Sequence, residues 1–227
     1  MSSTDFLHGV RTIEYDDGAD AISTVNVSVI GIVGTAPNSE GAKCASLVTG
    51  SAITENQITY SVETPGTAGN AYSIEIVPGD IYPADTEWGS GTDYKTIWKY
   101  SVKADGSVKL TIRMPVDSAG NKLMKAEQLS SVWDDVPALP GYSRVIASVD
   151  PDNDGGEVMY LSETNFGGGA DEAFPLNVPT VIAGSSTKAA KLGTTGTLPA
   201  DINDIFNQTR ALIVVVRVAD DTDALKL

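Results

Sequence analysis

The chain has 227 residues, with 15 Lys+Arg against 30 Asp+Glu, a formal net charge of −15, one His and one Cys. That balance opposes any polyanionic partner, nucleic acid included, and Cys44 has neither an internal disulfide partner nor a second thiol for structural zinc. No apolar run approaches the roughly 20 residues of a membrane span, and Met1-Ser-Ser-Thr-Asp5 lacks the regions of a secretory signal, so the reading is of a soluble chain without membrane insertion.

Domains of about 150 residues make one or two the expectation here, and 22 Gly with 11 Pro, spread among separate turns, suit many short strands. Residues 1–24 read as an N-terminal arm. Phe6 and Leu7 lead into an extended segment in which Val10, Thr12 and Glu14 face one way and Arg11, Ile13 and Tyr15 the other. Asp16-Asp17-Gly18 is a turn that supplies a hinge. No hairpin partner comes at short range, so this strand needs an edge belonging to something else. Val25–Val33 reads as a central strand, alternating at first and then continuously apolar, stopped by Gly34-Thr-Ala-Pro37.

Residues 38–171 have a different texture, that of a strand-rich α+β module. Strands are expected over Ile58–Glu63, Tyr72–Val77, Tyr94–Lys103, Val108–Met114 and Arg144–Val149, with a hairpin at Ala104-Asp-Gly-Ser107. A helix is expected over Lys125–Val136, and Gly167-Gly-Gly169 reads as a flexible return. An α/β texture then resumes. Val178–Ala183 and Ala211–Val218 are strands, with helices over Lys188–Leu192 and Pro199–Thr209 between them, an order that implies a parallel crossover. Asp220-Asp-Thr-Asp-Ala-Leu-Lys-Leu227 begins like a helix, and the sequence reads as cut there.

Chemistry-bearing patterns are weak. Asp150-Pro-Asp-Asn-Asp-Gly155 matches the first half of a calcium-binding loop, but Leu161 stands where that loop needs its bidentate Glu, so an acidic turn is expected. His8 lies in the arm, no nucleophile elbow exists, and Cys44 is not read as an activated nucleophile. Trp88, Trp98 and Trp133 read as packing residues rather than a sugar-stacking patch. No catalytic, cofactor or metal site is assigned, and the chain is not read as an enzyme.

The flanking segments carry a resemblance. Phe6-Leu-His-Gly-Val10, Glu14-Tyr-Asp-Asp-Gly18, Ile22-Ser-Thr24 and Val29-Ile-Gly-Ile-Val-Gly-Thr-Ala-Pro37 resemble the start of contractile tail sheath proteins of phages and phage-like bacteriocins. Ala173-Phe-Pro-Leu-Asn-Val-Pro179, Ala189-Ala-Lys-Leu-Gly193, Gly196-Thr-Leu-Pro199, Ile205-Phe-Asn-Gln208 and Val214-Val-Val-Arg-Val218 look like the segments that come next in that family. The family's members continue well beyond the equivalent of Leu227. Thr64-Pro-Gly-Thr-Ala-Gly-Asn70 and Thr164-Asn-Phe-Gly-Gly-Gly169 resemble an inserted decorating module of longer members.

The resemblance implies an α/β plus α+β architecture: an interrupted α/β domain (25–37 and 172–227) with an arm (1–24) and a strand-rich insert (38–171). It implies a virion subunit that polymerises with copies of itself in stacked hexameric rings around a tail tube. Baseplate and tail-terminator proteins are the further partners, and contraction the function. A short collar or baseplate paralogue, or a surface-decorating glycan-binding or cell-binding module, are the alternatives.

Overall fold

The computed structural model describes residues 29–88, 97–131, 137–152, 155–184, 186–209 and 211–220. The arm, the start of the first expected strand, Trp133 and the helix-like end beyond Asp220 lie outside the described residues. In chain order the strands are β1 (Val29–Thr35), β2 (Ser46–Thr49), β3 (Ile58–Val62), β4 (Tyr72–Ile81), β5 (Trp98–Val102), β6 (Val108–Val116), β7 (Val145–Val149), β8 (Leu161–Asn165), β9 (Pro179–Ala183) and β10 (Leu212–Val218). Helices are few and short: α1 (Ala126–Ser131), α2 (Ser186–Ala190) and α3 (Leu198–Gln208). The fold is strand-rich, with mixed parallel and antiparallel sheets.

Two sheets share one hydrophobic cluster. β5-β6-β4-β8 is four-stranded and β2-β3-β7 three-stranded. Period-two alternation sends Val108, Leu110, Ile112 and Met114 of β6 inward with Ile74 and Ile76 of β4, and turns Lys109, Thr111 and Arg113 outward. Tyr60 and Val62 of β3 and Leu129 of α1 join the same core. β5 and β6 form the expected hairpin, where Asp105 accepts from Ser107 N at 2.9 Å.

The third sheet, β1-β10-β9, joins distant parts of the chain. β1 pairs in parallel with β10 from Val29↔Leu212 to Thr35↔Val218. Its helix-side core holds Phe174, Ile182, Leu192, Leu198, Ile202, Ile213 and Val215. α3 begins as expected for Pro199 in a first turn, and its Ile202 is buried with Ile205 and Phe206 packed beside it. Gly34 permits this contact: a Cβ there would lie 2.2 Å from Thr197 Oγ1 and 3.1 Å from Leu198.

The structure corrects several expectations. Val25–Val33 reads as a central strand, but among the described residues β1 lies at an edge, and Val29 and Val33 are exposed because the described helices meet only the opposite face. The expected parallel crossover from β9 to β10 is absent: the two are antiparallel, with Ala183 opposite Leu212. The α2–α3 excursion leaves and re-enters at the same end of the sheet, so no crossover is needed. The glycine run 167–169 is not a loose return. Ser46 and Gly167 exchange backbone bonds of 2.8 and 3.0 Å, and Asn70 both accepts from Gly169 N and donates to Gly169 O at 2.9 Å. A Cβ on Gly169 would lie 2.6 Å from Gly66 O.

Asn70 therefore staples two segments 99 residues apart. Asn70→Ala strips a buried backbone pair of both partners and is expected to cost about 1–3 kcal/mol. Urea unfolding checks this; an unchanged midpoint would contradict it.

Candidate functional site

The third sheet has two unlike faces. On one, Ile32, Ile213, Val215 and Ile182 pack with residues of α2 and α3, and Ile30 lies on the same face opposite Ile213. On the other, Val29 and Val33 of β1 lie beside Leu212, Val214 and Val216 of β10, which lie beside Val181 and Pro179 of β9. Val29 is 60 % exposed, Val33 67 % and Val181 45 %, and no described element covers them. Side chains of three neighbouring strands thus share one exposed apolar face, a feature common at contact surfaces.

The two edges of that sheet also differ. β9 starts at Pro179, which has no N–H to offer, and Lys188 Nζ donates to Val181 O at 2.6 Å. Both devices blunt an edge. Among the described residues β1 has no such cover, and only its last residue is engaged, Thr35 N donating to Thr197 Oγ1 at 3.0 Å. From Val29 to Gly34 the outer edge of β1 has no strand partner among the described residues. Buried Arg217 pairs with Glu172, and Asn177 N donates to Arg217 O at 2.8 Å, which locks the segment around residues 172–177 onto β10.

The sequence-predicted residues, Phe6, Leu7, Val10 to Tyr15 and the hinge Asp16 to Gly18, lie outside the described residues. Val33, Val181 and the open β1 edge were not identified as a surface from sequence alone. The signal was available, since apolar runs suited to burial on two faces flank a segment with helices for only one.

Cys44 is exposed, with Sγ 3.7 Å from Glu63 O. In the acidic turn that starts at Asp150, Asp152 N donates to Asp150 Oδ1 at 3.1 Å. Among the described residues, no cluster of three His, Cys, Asp or Glu has metal-holding geometry, and no helix is long and apolar enough to cross a membrane. A cavity of about 390 Å³ between α2 and α3 is lined by Ala189, Pro199, Ile202 and Phe206, with no ionisable group. Trp88 is buried with its ring edge-on to Tyr82 at 5.1 Å, and Trp98 packs against the insert's core, so neither presents a sugar platform.

The polar face of the four-stranded sheet holds an ion network. Glu163 accepts from Lys103 and from Ser73 Oγ at 2.8 Å; Lys109 lies 3.3 Å from Glu163 and 2.6 Å from Glu75. The Lys103 hydrogen bond, then those of Ser73 and Lys109, lowers the Glu163 carboxyl to about 2.

Comparison with protein-family models, curated proteins and solved structures returned no match.

Val33→Lys and Val181→Lys replace side chains that touch little within the subunit, so each shifts its unfolding free energy by no more than about 1 kcal/mol. If copies of the chain associate through this face, both variants weaken that association in sedimentation while the monomer stays folded; unchanged association, or a monomer that no longer folds, would contradict the assignment. Glu163, with its lowered folded-state pKa, contributes stability above the ordinary carboxyl value of 4.5 that is lost as pH falls towards about 2. The melting temperatures of wild type and Glu163→Gln should therefore converge across that window, and a constant gap would count against the network.

Proposed function

We propose that this chain is a structural subunit of a contractile tail sheath, polymerising around a tail tube and contracting to drive it through a bacterial envelope. The resemblance of the flanking motifs suggests the family. The observation that carries the reading is the half-finished third sheet, with an uncovered apolar face and an open β1 edge. A lone soluble monomer gains nothing from such a surface, whereas a polymer needs one.

In this reading residues 6–15 of one subunit add as a strand beside the sheet of the next. Main-chain hydrogen bonds then hold neighbours together while the hinge at residues 16–18 lets each body rotate. The insert has its own core and is tied at its neck by Asn70 and Gly169. The partners are copies of the same chain in stacked hexameric rings, the tail tube, and baseplate and terminator proteins of a virion. The work done is conformational, without turnover.

Thr12→Pro tests the reading, because proline removes a ladder donor and fixes φ. A loss of about 1 kcal/mol per contact is small in one subunit and large when repeated through a lattice. The expected result is a folded subunit with unchanged circular dichroism that fails to form ordered tubes in electron microscopy. Normal contractile tubes, or a variant unable to fold as a monomer, would refute the tether.

A further inference from the structure

The polar face of the four-stranded sheet has more to it than its ion network. Lys99 and Ser101 of β5 and Lys109, Thr111 and Arg113 of β6 line one shallow depression of about 230 Å³. Lys99 is paired across the ladder with Thr111, so it lies diagonal to Arg113. Lys103 and Lys109 are matched by Glu163 and Glu75. Lys99 and Arg113 are both exposed and carry no ion pair among the described residues. Two uncompensated cations side by side are notable in a chain of net charge −15.

A matching surface lies on the same module. Residues 79–87 include Asp80, Asp85 and Glu87 and no Lys or Arg. All three carboxylates are exposed and without an ion pair among the described residues. Beside them Ile81 is 70 % exposed, an apolar anchor within an acidic rim. The segment is held in shape: Tyr82 N donates to Val116 O at 2.8 Å, Thr86 N donates to Pro83 O at 3.0 Å, and the Tyr82 ring meets buried Trp88. A pre-ordered segment loses little entropy on docking.

We infer that the Lys99 and Arg113 face of one insert binds the 79–87 segment of a second copy of this chain. The inference rests on the reading of the chain as self-assembling, and gives the insert a part in assembly beside that of the arm. Charge complementarity selects the occupant. Two free cations are too few to track a polyanion, and the aromatic rings of this sheet, Trp98 and Tyr100, pack on its core side, so a sugar chain has nothing to stack on. The contact joins two different patches, so it is heterologous, the kind that builds rings or open helical arrays. Screening sets its salt profile. At about 0.1 M the Debye length is about 10 Å, which damps the repulsion between acidic bodies while contact pairs persist.

Sedimentation velocity of the full chain at about 0.1 M salt tests this, with circular dichroism to check folding. Lys99→Glu with Arg113→Glu, and separately Asp85→Lys with Glu87→Lys, should each weaken self-association by about tenfold or more. Mixing the two double variants restores complementarity in trans and should recover association. Wild-type association by either double variant alone, or a mixture that stays dissociated, would overturn the inference. So would a wild-type chain that stays monomeric yet retains a soluble polyuronate, which would assign the face to an anionic polymer. The association should survive Thr12→Pro. Its loss there would transfer it to the arm and overturn the patch contact, whereas normal tubes from that variant would refute the tether alone.

Discussion

The parallel ladder between residues 29–35 and 212–218 is the closure on which the rest of the molecule depends. It brings together two segments separated by most of the chain, so everything between must fold as a side branch that returns to its starting point. The neck achieves this with backbone exchange at Lys43 and Ala170, the Asn70–Gly169 staple, and the Arg217–Glu172 pair. Pairings of such long sequence separation form late and slowly, because the loop-closure entropy is met before the contacts reward it. The insert, with its own core and local hairpin, has the means to fold before that closure.

The same ladder explains why the third sheet is left open. β10 is its centre, and its alternate side chains pack on α3 on one side and stand half-exposed on the other. β9 is antiparallel and blunted by Pro179 and Lys188, so the sheet cannot easily grow in that direction. Among the described residues β1 has neither device, so the sheet is protected at one edge and open at the other.

Much of the secondary structure was legible in the sequence. Asp105-Gly106 between alternating runs announced the β5–β6 hairpin, and Pro199 with Ile202, Ile205 and Phe206 announced α3. Strand sense was not legible, because it depends on which end of a sheet the chain re-enters, and no local pattern around Gly193 and Gly196 records that. β2, with four residues, and β8, with Leu161 its sole aliphatic residue, lack the alternation that identifies a strand. They are strands because β3 and β4 lie beside them. The uncovered sheet face was only half legible. Val29, Ile30, Ile32 and Val33 spell burial on both faces, but sequence alone cannot say whether the second face is covered by the same chain or by another. The free cations of the insert's sheet were invisible until tertiary structure placed Lys99 beside Arg113.

Hydrogen exchange on the β1 amides, compared between dispersed subunits and assembled particles, tests the central claim most directly. Outward-facing amides between Val29 and Gly34 are expected to exchange freely in the dispersed subunit and to become protected on assembly, while β10 amides are protected in both states. Protection of the β1 edge already present in the monomer, or no gain in protection on assembly, would contradict the claim that this sheet is completed by a neighbour.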